Sequence, residues 1–150
     1  MADVSDSERA DFFGAVEATA KEAVWCALAT QSKNGPRVRM VHPTWEGETL
    51  WLATGASSPK AKQISRDPRV DIQFQVAPPG FVHLMVRGEA TIVTDPAEKK
   101  RVWDVLDYDL SQFWPGGPTD PNYSPVSIAP TRVELSKMFG SMEQRVWRAQ

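Results

Sequence analysis

The segment that begins at Thr54 places hydroxyl, glycine and lysine residues at a spacing suited to binding an anion. Thr54 ends a predicted strand, and Ser58-Pro59 begins a predicted helix that carries Lys60 in its first turn. The free N–H groups and the positive dipole end of a helix N-terminus attract anions. Two hydroxyls and an ammonium add hydrogen bonds suited to phosphate oxygens. Together with Arg39 on the preceding strand, these residues predict a phosphate cradle.

The same residues also fit an ordinary helix start. Ser-Pro is common at a helix N-terminus, and surface lysines are usually only solvated. Strand alternation places Arg37 and Arg39 on one face of residues 37–42, with Val38 and Met40 on the other. An arginine in the middle of such a strand either contacts an anion or lies on a solvated face, so both interpretations stay open at this point.

No familiar catalytic motif accompanies this segment. The sequence lacks G-x-S-x-G, a P-loop, G-x-G-x-x-G and H-E-x-x-H. The single cysteine, Cys26, excludes an internal disulfide and a multi-cysteine metal site, and its apolar surroundings predict a buried thiol. His42 and His83 are the only histidines, too few for a histidine-built metal site, so we predict no metal.

Length and composition predict one soluble, cytoplasmic domain over residues 1–150. Apolar residues make up 41% of the chain, and Lys+Arg 17 against Asp+Glu 19 give a net charge of −2. That balance argues against a nucleic-acid partner, which requires a strongly basic face. The acidic N-terminus is unlike a signal peptide. No apolar stretch approaches the ~18 residues of a membrane span.

The apolar spacing predicts a mainly β (α+β) fold. Helices are predicted over 6–22, from Ser58 to Asp67, and after Asp95, where Val102, Trp103, Leu106 and Leu110 share one face. The predicted strands are 24–30, 37–42, 49–54, 70–76, 81–93, 127–138 and a short one at 145–147. Gly88 predicts a bulge. Strands joined mainly by hairpins favour an antiparallel barrel over a doubly wound sheet.

The order of several short segments resembles the pyridoxamine 5′-phosphate oxidase-like flavin-binding split barrels. The segments are Arg39-Met40-Val41, Leu50-Trp51-Leu52-Ala53-Thr54, Ser58-x-Lys60-x-x-x-Ile64, Asp67-Pro68-Arg69-Val70 and Val86-Arg87-Gly88-Glu89-Ala90. The C-terminal half resembles the general stress protein 26 branch through Trp103, Phe113-Trp114-Pro115-Gly116-Gly117, Asp120-Pro121 and Val126-x-Ile128-x-Pro130. The resemblance covers residues 8–140.

The resemblance implies a six-stranded antiparallel split β-barrel with peripheral helices, paired as a homodimer with FMN at the subunit interface. Four residues would hold the FMN phosphate: Arg39, Thr54, Ser58 and Lys60. The backbone of three residues would lie along the flavin ring: Met40, Val41 and His42. His83 stands where family members often place a glutamine that reaches the flavin from the second subunit, and Trp114 is expected to stack from that subunit.

Two departures from the family pattern limit what the resemblance implies. Pro59 replaces the usual second basic residue beside the lysine, and the C-terminal substrate-binding extension of true pyridoxamine-phosphate oxidases is absent. The resemblance therefore supports an FMN-dependent oxidoreductase with NAD(P)H as electron donor, and does not support vitamin B6 oxidation. Alternatives are FAD in place of FMN, a flavin carrier or stress sensor without turnover, or a barrel that binds F420 or haem.

Overall fold

The computed structural model describes residues 2–150, which form nine β-strands and three α-helices. The strands are β1 (Ala2–Asp3), β2 (Cys26–Ser32), β3 (Gly35–Val41), β4 (Thr44–Glu46), β5 (Thr49–Gly55), β6 (Arg69–Gln75), β7 (Val82–Ile92), β8 (Tyr123–Lys137) and β9 (Met142–Arg148). The α-helices are α1 (Arg9–Ala23), α2 (Pro59–Arg66) and α3 (Pro96–Val105). In this part of the chain no helix has the length and apolar composition needed to cross a membrane.

All nine strands belong to one sheet, in the order β1-β9-β8-β7-β6-β2-β3, with β5 also paired to β8 and β4 paired to β5. The mainly β prediction is confirmed, but the six-strand count is not, because the sheet has nine strands. The sheet is also not wholly antiparallel, because β1 pairs with β9 in parallel. β1 and β4 have two and three residues, too short to show an alternating pattern, and exist as strands only through their partners.

The central strands follow the predicted alternation. In β6, Val70, Ile72 and Phe74 are buried, whereas the residues between them are exposed. The register between β7 and β8 shifts at Gly88, as predicted for a bulge. A Cβ on Gly88 would lie 2.6 Å from the carbonyl oxygen of Ala129, so the close approach of the two strands requires glycine at this position.

The helices begin where the sequence predicts, and one ends earlier. Ser58 caps α2 by accepting a hydrogen bond from the backbone N–H of Ala61 at 3.1 Å. The helix predicted over 6–22 starts with a 3-10 turn over Asp6–Glu8 before α1. The prediction that Leu110 lies on α3 is wrong, because the backbone of Leu106 is extended. Leu110 lies in a separate 3-10 turn and is still buried.

Two apolar clusters form the core. The larger lies between the sheet and α1, and includes the contacting aromatic rings of Phe13, Trp45 and Trp147. The smaller cluster packs α3 and the following loop against the sheet through six buried residues: Trp51, Val102, Leu106, Leu110, Trp114 and Tyr123. Cys26 is 1% exposed in the larger cluster, which confirms the predicted buried thiol.

Candidate functional site

Arg39 lies on β3, and its guanidinium is held by neutral hydrogen-bond acceptors on β2 and α2. Its Nη1 donates to Thr30 Oγ1 at 2.7 Å, and its Nη2 donates to Gln63 Oε1 at 2.7 Å. Thr30 Oγ1 in turn donates to Gln63 Oε1 at 2.6 Å, which closes a three-residue network. Backbone carbonyls of Leu28 and Arg37 complete the contacts of Nη1. The guanidinium is thus fixed in position by acceptors that carry no charge.

Lys60 adds a second cation beside Arg39. It lies one helical turn before Gln63 on the same face of α2. Burial and repulsion from Arg39 lower the pKa of Lys60. Burial and repulsion from Arg37 likewise lower the pKa of Arg39. Within residues 2–150 no carboxylate forms an ion pair with Lys60 or Arg39. Such clustered cations favour an anionic ligand.

The two predicted hydroxyls lie together at the start of α2. Thr54 Oγ1 and Ser58 Oγ are 2.8 Å apart and hydrogen bonded to each other. Ser58 Oγ also accepts from the backbone N–H of Ala61 at 3.1 Å. Because a hydroxyl has one donor and two acceptor positions, this pair retains capacity for a further partner. The structure therefore places Arg39, Lys60, Thr54 and Ser58 on elements around the N-terminal half of α2.

A cavity of about 340 Å³ extends beside Lys60. Four of the predicted site residues line it: Met40, Val41, His42 and Lys60. Its remaining lining residues are Trp25, Ala53, Tyr108, Asp109, Gln112 and Phe113. Trp25 and Phe113 are 55% and 63% exposed, so they form an open, aromatic rim. Apolar, aromatic walls with one cation at the edge suit a flat ligand that carries an anionic group.

His42 forms part of the cavity wall in a fixed orientation. Its Nε2 lies 2.9 Å from Asp107 Oδ1, and its ring stacks on Tyr108 with centroids 4.4 Å apart. Thr44 Oγ1 donates to the same carboxylate oxygen at 2.9 Å, which holds Asp107 in place. Burial and the charge of Asp107 raise the pKa of Tyr108 to about 12, so its phenol is neutral near pH 7. The wall at this point presents two stacked, flat rings to the cavity.

His83 and Trp114 do not line this cavity. His83 lies at the start of β7 opposite Ser136, is 7% exposed, and neither of its ring nitrogens has a hydrogen-bond partner within residues 2–150. Trp114 is 7% exposed and packs against Tyr123 in the smaller core cluster. Its neighbour Phe113 lines the cavity instead. The predicted contributions of His83 and Trp114 from a second subunit stay predictions.

Several residues of the site were not predicted. Gln63 could have been found from its position three residues after Lys60, which places both on one helix face. Thr30 carried no local signal, because its role depends on the pairing of β2 with β3. Trp25 lies between α1 and β2, whereas Tyr108 and Phe113 lie in the segment between α3 and β8, and only the tertiary structure brings them to one cavity.

Comparison with known proteins agrees with this fold. A family model described as pyridoxamine 5′-phosphate oxidase matches residues 12–137. General stress protein 26 of Bacillus subtilis is 28% identical over 111 residues, which are 73% of this chain and 76% of that protein. A Clostridium acetobutylicum protein related to general stress protein 26 has a crystal structure that matches with a TM-score of 0.71 at 19% identity, covering 97% of this chain and 96% of that chain.

A pyridoxamine 5′-phosphate oxidase-related, FMN binding protein from Nostoc punctiforme also matches. Its crystal structure has a TM-score of 0.70 at 20% identity, over 91% of this chain and 96% of that chain. At this identity the match shows the shared fold alone. The family model spans most of the sequence, from the buried face of α1 to the end of β8, and confirms the predicted resemblance. The chain belongs to the pyridoxamine 5′-phosphate oxidase family.

Proposed function

We propose that this protein binds FMN in the cavity beside Lys60 and acts as a flavin-dependent oxidoreductase. The observation that carries the proposal is the pair of partly buried cations, Arg39 and Lys60, without a carboxylate partner in residues 2–150, next to an aromatic-lined cavity. A dianionic phosphate on a flat ring system matches both features. The family, and the FMN binding protein among its structural neighbours, support the same ligand.

The residues present fit FMN at both ends of the ligand. Arg39, Lys60 and the hydroxyls of Thr54 and Ser58 would hold the phosphate by charge-assisted hydrogen bonds. The cavity wall at Met40, Val41 and His42 would contact the ring. When bound, FMN supplies the redox chemistry by accepting a hydride from a donor such as NAD(P)H and passing electrons on. The chain itself binds and orients the ligand.

We also propose that the protein is a homodimer in which a second copy covers the cavity rim. Val38 and Met40 on the edge strand β3 are 62% and 64% exposed, and they lie close in sequence to the cavity residues Val41 and His42. Exposed apolar groups beside a binding cavity are typical of an interaction surface. His83, with both ring nitrogens unpartnered within residues 2–150, is the residue expected to act from the second copy.

The experiment that tests ligand class is an absorption spectrum of the purified protein after incubation with FMN, FAD, riboflavin, F420 or haem and gel filtration. We expect the flavin bands to stay with the protein after incubation with FMN. A protein that remains colourless with FMN contradicts the proposal, and retention of F420 or haem alone assigns a different ligand. Stopped-flow mixing of the FMN complex with NAD(P)H then tests turnover. Tightly bound FMN that is never reduced identifies a carrier or sensor instead.

A further inference from the structure

The hydrogen-bond partners of Arg39 differ from those of the arginines that form ion pairs. Within residues 2–150, six arginines form ion pairs with carboxylates: Arg9, Arg69, Arg87, Arg101, Arg132 and Arg148. Arg39 forms no such ion pair within residues 2–150, although its guanidinium is partly buried and donates hydrogen bonds to four acceptors. Those acceptors are one amide oxygen, one hydroxyl and two backbone carbonyls, all of them neutral.

Gln63 holds the central position in this arrangement. Its Oε1 accepts from Arg39 Nη2 at 2.7 Å and from Thr30 Oγ1 at 2.6 Å. A glutamate at this position would present a carboxylate at the same distance and neutralise the guanidinium. Glutamine has nearly the same shape and the same acceptor oxygen, but adds no charge. It therefore orients Arg39 and leaves the full positive charge available to a ligand.

We propose that Gln63, supported by Thr30, is the residue that makes the site selective for a phosphate dianion. This inference rests on the proposed function, because it concerns how the same site distinguishes FMN from a flavin without phosphate. A dianion is held by two cations, Arg39 and Lys60, only while neither is paired internally. An uncharged ligand such as riboflavin gains nothing from that free charge. Selectivity thus depends on a neutral acceptor at position 63.

The test compares FMN and riboflavin binding, measured by flavin fluorescence titration, in the wild-type protein and three variants. Gln63→Glu introduces the carboxylate beside Arg39. Ser65→Glu introduces the same charge on the same helix at an exposed position two residues away, which faces elsewhere. Thr30→Val removes the supporting hydroxyl without adding charge. Thermal unfolding of each variant checks that it is folded.

We expect Gln63→Glu to weaken FMN binding by about tenfold or more, the effect of one lost charge-assisted contact, with riboflavin binding unchanged. Ser65→Glu should leave both affinities unchanged, and Thr30→Val should weaken FMN alone. If Gln63→Glu does not fold, Thr30→Val tests the inference instead. Equal FMN affinity in Thr30→Val and the wild type then overturns the inference. Equal FMN affinity in Gln63→Glu and Ser65→Glu also overturns it, while the proposed function stands. A wild type that binds FMN no better than riboflavin overturns both.

Discussion

Single side chains determine the charge of the candidate site. Removing a cation from water is unfavourable unless a partner compensates for the lost solvation. Arg39 and Lys60 are partly desolvated, and repulsion between them lowers the pKa of Lys60 further. Neutral acceptors on Thr30 and Gln63 orient Arg39 without cancelling its charge. A phosphate group would supply the missing negative charge, so the site is electrostatically complementary to a phosphorylated ligand.

The first prediction concerns the ammonium group of Lys60. Lys60→Ala removes one charge-assisted hydrogen bond to phosphate, worth roughly 1.5–3 kcal/mol, which corresponds to a loss of about 10- to 150-fold in FMN affinity. Riboflavin, which has no phosphate, should bind both proteins equally. Fluorescence titration with the two flavins measures this, and Lys62→Ala on an exposed position of the same helix is the matched control. Unchanged FMN affinity in Lys60→Ala would place the phosphate elsewhere.

The second prediction concerns the thiol of Cys26. Burial raises its pKa to about 12, whereas an unfolded chain has a thiol pKa of about 8.5. Between these values the unfolded state loses the proton and the folded state keeps it, so stability is complete at lower pH and falls as pH rises. We expect thiol reagents at pH 8 to modify the protein only after unfolding in urea.

The ionisation of the same thiol should also affect how steeply the unfolding free energy falls as pH rises. Urea unfolding at pH 8 and pH 10 should show a smaller loss of unfolding free energy in Cys26→Ala than in the wild type, because the variant lacks this ionisation. Comparing slopes removes the effect of the smaller side chain itself. Rapid modification of the native thiol, or identical slopes in the two proteins, would show that Cys26 is accessible.

At the scale of secondary structure, the eight-residue helix α2 and its N-cap carry both stabilising contacts and residues of the candidate site. Ser58 caps the helix, Lys60 contributes charge to the cavity, and Gln63 contacts Arg39 on the neighbouring strand. Ala61 and Ile64 are buried on the remaining face and attach the helix to the sheet. So short a helix is marginal in isolation. Its cap and its buried face therefore determine whether the site residues are correctly placed.

The third prediction separates these roles at Ser58. Ser58→Ala removes the N-cap and should cost about 1 kcal/mol of stability, which lowers Tm by about 2–4 °C in a chain of this size. FMN affinity should fall less than in Lys60→Ala, because a neutral hydroxyl contributes less than a charged group. Calorimetry and FMN titration measure the two effects. The control is Ser57→Ala at the exposed neighbouring position, which should change neither Tm nor FMN affinity. A Tm that stays constant in Ser58→Ala would rule out the cap as a stabilising contact.

At the scale of the whole molecule, one sheet carries both the core and the site. β8 pairs with β5, β7 and β9, so it connects β5, near the candidate site, to the strands of the larger core cluster. β3 lies at the edge of the sheet, with Val38 and Met40 exposed next to the cavity. An edge strand with exposed apolar side chains favours association with another chain. The arrangement supports the proposed homodimer with a shared binding site.

The fourth prediction is the oligomeric state. We expect a two-fold symmetric homodimer that buries more than about 2,000 Å², as obligate interfaces do. Val38→Glu places a charge on the exposed face of β3 and should shift the protein to monomer and weaken FMN binding together. Sedimentation velocity at micromolar concentration measures the first effect and flavin titration the second. The control is Thr91→Glu on an exposed position of β7. A monomeric wild type with full FMN affinity contradicts the dimer.

Features that depend on neighbouring residues were determined by the sequence by itself. Alternation predicted β6, glycine predicted the bulge at Gly88, and Ser58-Pro59 predicted the start of α2. The family, too, followed from short segments in a characteristic order, and the family model confirms it. These features were predictable because caps, bulges and alternation are set by residue type and spacing over a few positions.

Only the tertiary structure decided features that depend on distant partners. β1 and β4 are strands because they pair with β9 and β5, which no local pattern encodes. Trp114 is buried while its neighbour Phe113 lines the cavity, because the loop after α3 packs one ring and exposes the other. Arg39 acquires its hydrogen-bond partners in the same way. Its two side-chain acceptors, on Thr30 and Gln63, lie 9 and 24 residues away in sequence, and folding alone brings those groups within hydrogen-bond distance.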